Sequence, residues 1–178
     1  MALLDQPFAI LDLETTGLDP IQHEIIEIAA LTVHAGFQVA DEFHVLIKPS
    51  QALPSEISSL TGIAQSLLDN SGVGLHEGLA GLQAFLGSLP VFAHYAPFDQ
   101  GFLAHAAKQC GLPFENPMLD TIEVAKAAWP SLASYSLANL AQELGVNCPS
   151  HRAMADVRAT LAVLAEAYGI LTLSRGGA

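Results

Sequence analysis

Residues 8–18 read FAILDLETTGL, and the arrangement of the rest of the chain follows from them. Phe8, Ala9, Ile10 and Leu11 form an unbroken apolar run, the pattern of a strand buried on both faces, and the run ends on a carboxylate, Asp12. Gly17 and the Asp19-Pro20 pair beyond it are turn chemistry. Side chains two apart on a strand share a face, so Asp12 and Glu14 point the same way. An Asp-x-Glu pair is common in acidic chains and alone says little; placed after four apolar residues, a solvated face is out of keeping. Carboxylates that must ionise side by side repel unless a cation lies between them. Hard, oxygen-preferring divalent ions such as Mg²⁺ or Mn²⁺ suit such a pair.

Working outward, Glu24–His34 is rich in Ile and Val and predicts a second strand. Gly36 marks a tight connection into Phe37–Ile47, where Phe43, Val45 and Ile47 alternate with polar neighbours, so the first three strands are expected to be antiparallel hairpins. The pattern then turns helical: Pro54–Leu60 closed by Gly62, and Leu75–Leu86 with its leucines at helical spacing. Val91–Ala93 predicts a short strand leading into a helix over Phe98–Gln109, which Gly111 and Pro113 end. Met118–Asp120 is a last short strand with Asp120 capping Thr121–Ala128; helices over Ser136–Leu144 and Ala153–Tyr168 follow. The expected fold class is α/β, a mixed sheet with helices packed on it, in a single domain over residues 1–170. Residues 171–178, ending in SRGGA, are expected to be a disordered tail.

Three further side chains could join the carboxylate pair. Asp99 opens a helix just after VFAH, where an Asp is ordinarily an N-terminal cap. Asp156 lies one turn into the last helix, on a stripe shared with Met154, Val157, Leu161 and Leu164; an acid there needs a partner, and a metal ion suits. His151 stands five residues earlier in a loop begun by Cys148-Pro149. A loop histidine is by default a surface group, but it could also swing over the carboxylates and accept a proton from an attacking water.

Composition limits the classes. The chain has 178 residues and a mass of 18.7 kDa, enough to bury a full core without staples. It is 51% hydrophobic with mean hydropathy +0.40, yet it holds no uninterrupted apolar run of about eighteen residues, so no membrane span is expected. MALLDQPF carries no basic region, so no signal peptide is expected either. Two cysteines, Cys110 and Cys148, make no disulfide framework; packing roles and a reducing cytoplasm fit them. Six Lys and Arg against eighteen Asp and Glu give a net charge of −12, the wrong sign for gripping long nucleic acid by its phosphates. Such a chain can still take a short single-stranded end into a small pocket, or borrow affinity from a partner protein; the charge also serves simply to keep an apolar chain soluble.

Together the blocks carry a specific order and spacing. DLETTGLDP followed by EIIEIAAL, then AHYAPFDQGFL, then HRAMADVRAT with its His-x₄-Asp spacing, resemble the three motifs of the DEDDh exonucleases of the ribonuclease H-like superfamily. That family includes the proofreading epsilon subunits of bacterial replicative DNA polymerases and ribonuclease T. IKPS with LTGI, LDT and YSLANLAQELGV are weaker similarities, and the resemblance spans roughly residues 6–168.

The resemblance implies a five-stranded mixed sheet flanked by helices and a metal-dependent 3′–5′ exonuclease that releases nucleoside 5′-monophosphates. It implies Asp12, Glu14 and Asp156 as ligands of two divalent ions, Mg²⁺ or Mn²⁺, Asp99 as serving the second ion, and His151 as general base. Thr15, Thr16, Gly17 and Leu18 match the loop that cradles the 3′-terminal nucleotide, and Leu13, Thr61, Tyr95 and Phe98 are counted with that substrate-contacting set. Tyr95 could stack on a base or pack in the core. Two positions depart from the pattern: His94-Tyr95 stands where the family usually has His-Asn, and Thr61-Gly62-Ile63 where the epsilon subunit has His-Gly-Ile. Both lie where the nucleotide is handled, so DNA, favoured here, RNA and short oligonucleotides all remain open substrates. A proofreading-type subunit needing a polymerase partner, an RNA-trimming nuclease and a non-catalytic nucleotide binder are the competing readings.

Overall fold

The computed structural model describes residues 4–146 and 151–176. Five strands, β1 (Phe8–Thr15), β2 (Ile25–His34), β3 (Gln38–Leu46), β4 (Val91–Ala93) and β5 (Met118–Asp120), form one mixed sheet in the order β3-β2-β1-β4-β5. β1, β2 and β3 are antiparallel neighbours, and β4 and β5 add in parallel beyond β1. This is the ribonuclease H-like arrangement that the sequence predicts, and β1, with its apolar run, is the central strand.

Seven helices are described: α1 (Ser55–Thr61), α2 (Gln65–Ser71), α3 (Leu75–Leu86), α4 (Ala96–Cys110), α5 (Thr121–Ala128), α6 (Leu137–Leu144) and α7 (Ala153–Gly176). They bury the two sheet faces separately. Ala9, Leu11 and Leu13 of β1 pack with Leu79, Leu82, Phe102 and Leu103 of α3 and α4. Phe8 and Ile10 pack with Ala153, Val157 and Leu164 of α7. Strand alternation therefore carries the row Phe8, Ile10, Asp12, Glu14 along the α7 side of the sheet, apolar in the middle and acidic at the carboxyl end.

Local chemistry explains the corners. Asp120 caps α5 by accepting from the Ile122 N–H at 2.9 Å, as its position predicts. α4 begins at Ala96 with Pro97 in its first turn, two residues before the predicted start, so Asp99 is the fourth residue of the helix and not its cap. α2, with Leu68 as its one buried residue, is not predicted by the sequence pattern. α7 continues to Gly176, so the backbone of residues 171–176 is helical where an irregular tail is expected, and residues 177–178 lie outside the described residues. Cys110 packs against the α3–α4 core, while Cys148 and Pro149 lie outside the described residues. Among the described residues, no helix is long and apolar enough to cross a membrane.

Candidate active site

The carboxyl end of β1, the first turns of α4 and α7 and the helix α1 surround a groove of about 480 Å³. Its lining includes Asp12, Glu14, Asp99, His151 and Asp156, so side chains up to 144 positions apart in sequence meet in one place. Leu13, Thr15, Gly17, Leu18, Thr61, Tyr95 and Phe98 line it too. Thr16 does not: its hydroxyl accepts from the Glu24 N–H at 2.9 Å and its own N–H donates to the Glu24 carbonyl at 2.8 Å, which pins the loop back on the start of β2. Ile57 and Leu60 are lining residues outside the motifs, and His94 of the second motif lines the groove although it is not counted with the substrate-contacting set. The α1 pair could have been sought as the apolar positions flanking Thr61.

The acids are crowded and poorly solvated. Glu14, Asp99 and Asp156 are buried, and Asp12 keeps partial contact with solvent. Burial pushes the Asp12 carboxyl well above the usual carboxylate range, and the charges of Asp99, Asp156, Glu14 and Glu27 push it further. Glu14 is pushed up to about 8, by burial first and then by Asp156 and Glu27. Asp99 is raised by burial most of all, against backbone hydrogen bonds from its own N–H and that of Leu13, and its Oδ1 is buried without a hydrogen-bond partner. Glu14, His151 and Asp156 each offer a ligand atom, and the three atoms lie within 4.8 Å of one another.

These observations fit divalent cations. Buried acids forced above their ordinary range, with one carboxylate oxygen unpartnered, are relieved by a hard cation and not by further burial. Four carboxylates supply the oxygen donors that Mg²⁺ or Mn²⁺ prefers, without calling on the imidazole as a ligand.

The groove walls are set by backbone devices. Thr15 Oγ1 donates to the Gly17 carbonyl at 2.6 Å, closing the loop after β1 on itself. His23 lies beneath that loop, so close to Gly17 that a Cβ there would meet its ring at 2.2 Å. Tyr95 sits in the left-handed region at φ 66°, strained for a residue with a side chain. Its N–H donates to Asp120 Oδ1 at 3.1 Å, and the residue is 58% exposed, sharing the groove with Leu18 at 84% and Leu60 at 51%. The Tyr95 ring is thus a surface feature of the groove and not a core residue. Burial pulls the His94 imidazole below its usual range; neutral, it donates from Nε2 to the Tyr135 carbonyl at 2.9 Å and meets Thr121 Oγ1 through Nδ1 at 2.9 Å, bracing the wall.

His151 is exposed and has φ 51°. The two residues after it are held from below by Glu27 of β2, a fully buried acid that the motif reading passes over.

Residues 9–164 match the exonuclease family (RNase T), and the chain belongs to that family. It is 42% identical over 161 residues to the DNA polymerase III PolC-type of Thermotoga maritima, an alignment covering 89% of this chain and 12% of that one. It is 34% identical over 160 residues to DNA polymerase III subunit epsilon of Aquifex aeolicus, covering 89% of this chain and 78% of the subunit. The chain therefore spans only a small part of the PolC-type relatives' length. Among solved structures, E. coli Exonuclease I in complex with a dT13 oligonucleotide superposes with a TM-score of 0.79 at 21% identity, over 90% of this chain and 40% of that one. That likeness shows the shared fold.

Proposed function

We propose that this chain is a DEDDh-type 3′–5′ exonuclease that removes nucleoside 5′-monophosphates one at a time from the 3′ end of single-stranded nucleic acid, DNA in preference, in the cytoplasm. The observation that carries the reading is the meeting of Asp12, Glu14, Asp99, Asp156 and His151 in a single groove. Asp12, Glu14 and Asp156 would hold the divalent cations, with Asp99 serving the second of them. Bound there, Mg²⁺ or Mn²⁺ supplies Lewis-acid activation of water and neutralises charge at the leaving oxygen.

The chain's own groups do the remainder. His151, in its neutral form, accepts a proton from the attacking water as oxygen bonds to phosphorus. The P–O3′ bond breaks, and the 3′ oxygen of the shortened strand takes its proton from solvent. Leu18, Leu60, Tyr95 and Phe98 give the terminal nucleotide an apolar seat. Among the described residues no Lys or Arg lines the groove, so a single-stranded end would be held by stacking and by the cations at the acids rather than by basic side chains on its phosphates.

Chromatographic identification of the product tests this. Digestion of a short single-stranded DNA with Mn²⁺ should release nucleoside 5′-monophosphates in order from the 3′ end; nucleoside 3′-monophosphates or release from the 5′ end would overturn the reading. The names of the polymerase III relatives, together with the charge of −12, favour a second reading in which the activity is delivered inside a polymerase complex. Co-elution with a replicative polymerase subunit on gel filtration, with turnover rising in the complex, is its signature.

A further inference from the structure

Glu27 is a fully buried acid for which the proposed chemistry has no use. It pairs directly with Glu14 across β1 and β2, and cross-strand partners share a face, so it lies beneath the acidic end of the groove. Three residues hold its carboxylate. Arg152 donates from Nη2 at 2.8 Å and from Nε at 3.2 and 3.3 Å to the two oxygens. The Ala153 backbone N–H donates to Oε2 at 2.9 Å. His44 Nε2, from the edge strand β3, lies 2.7 Å from Oε1.

Two of these three partners are the residues directly after His151. The first turn of α7 is thereby fastened to the sheet at the point where His151 leaves the helix. His151 itself has φ 51°, a conformation that a residue with a side chain takes only under restraint. We infer that Glu27 is a positioning residue: through the Arg152 fork and the Ala153 N–H it fixes the backbone that aims the His151 imidazole at Glu14 and Asp156. The inference rests on the nuclease reading for its kinetic consequence, and on geometry alone for its structural one. A reacting group displaced by about 1 Å loses on the order of 100-fold in rate, so the clamp acts on turnover and not on substrate binding.

The test uses the full chain and a fluorescent single-stranded oligonucleotide, with folding checked by thermal melting. Glu27→Gln keeps the size but turns an amide N–H₂ toward donors, and Arg152→Ala removes the fork from the outer side. Each should lower kcat about 10–100-fold with KM within about twofold, and Arg152→Lys should recover part of the loss. In a His151→Ala background, Glu27→Gln should cost nothing further, because the two act as one unit. Full additivity in that background, or an unchanged kcat, would overturn the inference.

NMR relaxation on metal-free protein gives a readout without turnover. The His151 and Ala153 amide order parameters should fall below about 0.6 in Glu27→Gln from a wild-type value near 0.85; unchanged values would also overturn it. If Glu27→Gln does not fold, Arg152→Ala carries both measurements. A wild type that cleaves nothing would sink the nuclease reading, while the relaxation result would still decide whether Glu27 fixes the His151 backbone.

Discussion

Glu14 and Glu27 are direct partners across the β1–β2 pair, yet their carboxyl groups are driven in opposite directions. Burial opposes ionisation of both. Glu27 overcomes it with hydrogen bonds from Arg152, His44 and Ala153 and ends below its ordinary range. Glu14, buried and facing Asp156 and Glu27 with only the Arg152 charge in its favour, is pushed up to about 8. One strand position thus holds an anion fixed by its hydrogen bonds, and its neighbour holds an acid that burial and like charge push toward the protonated form.

That contrast fixes how the metal-free protein responds to pH. Glu14 has an ordinary value of 4.5 and a folded value near 8, and Asp12 and Asp99 are raised well above 3.8. Between those limits the folded state keeps protons that the unfolded chain releases, so the contribution of these three acids is full below their unfolded values of 3.8 and 4.5 and falls as pH rises toward 8. Glu27, shifted downward, contributes nothing to the change over that window. The urea midpoint in EDTA should be lower at pH 8 than at pH 5.5. Mg²⁺ or Mn²⁺ should restore it at pH 8, by about 2.7 kcal/mol at a hundredfold excess over Kd. A midpoint that rises with pH in EDTA would contradict the crowding of the acids.

Gly17→Ala probes the loop after β1. The new Cβ would lie 2.2 Å from the His23 ring, which also meets the Asp19 N–H through Nδ1 at 3.1 Å and so cannot turn aside freely. The expected cost is about 1–3 kcal/mol of stability, with a raised KM as Leu18 moves. Adding His23→Ala should recover much of the loss, which thermal melts of the single and double variants would register; no recovery would place the strain elsewhere.

Tyr95→Asn separates the backbone from the ring. Asn tolerates the left-handed φ of 66° better than Tyr does, so the melting temperature should hold or rise. Loss of the exposed ring should raise KM for a single-stranded end by roughly 5–150-fold, the equivalent of about 1–3 kcal/mol of base stacking. An unchanged KM would remove Tyr95 from the substrate-contacting set.

Much of this was legible in the chain because its signals are local. The apolar run ending at Asp12, the Gly36 turn, the short apolar Val91–Ala93 and the Asp120 cap each announce their element within a few residues. The acids that line the groove were legible as an ordered pattern. What was not legible depends on contacts between distant segments. Arg152 meets Glu27 across 125 positions, and nothing near Glu27 distinguishes it from any other acid in a strand. Thr16 lies beside Thr15 in sequence and differs only in where the fold offers its hydroxyl a partner, the Glu24 N–H. Asp99 resembles a cap because α4 starts earlier, at Ala96, on a left-handed Tyr95 that the sequence does not advertise. α2 escaped because a seven-residue helix with one buried leucine has no periodicity to detect.

The central claim is that the acids around Asp12 form a cation-dependent centre acting on 3′ ends. Its most direct test is a gel assay of 5′-labelled and 3′-labelled single-stranded DNA and RNA, with Mg²⁺, Mn²⁺ or EDTA, comparing wild type with Asp12→Asn. Progressive shortening from the 3′ end that needs the metal, reduced about 10³-fold or more in the variant while its melting temperature in EDTA holds or rises, is the expected result. Full metal-dependent cleavage by Asp12→Asn, or shortening from the 5′ end, would contradict the account.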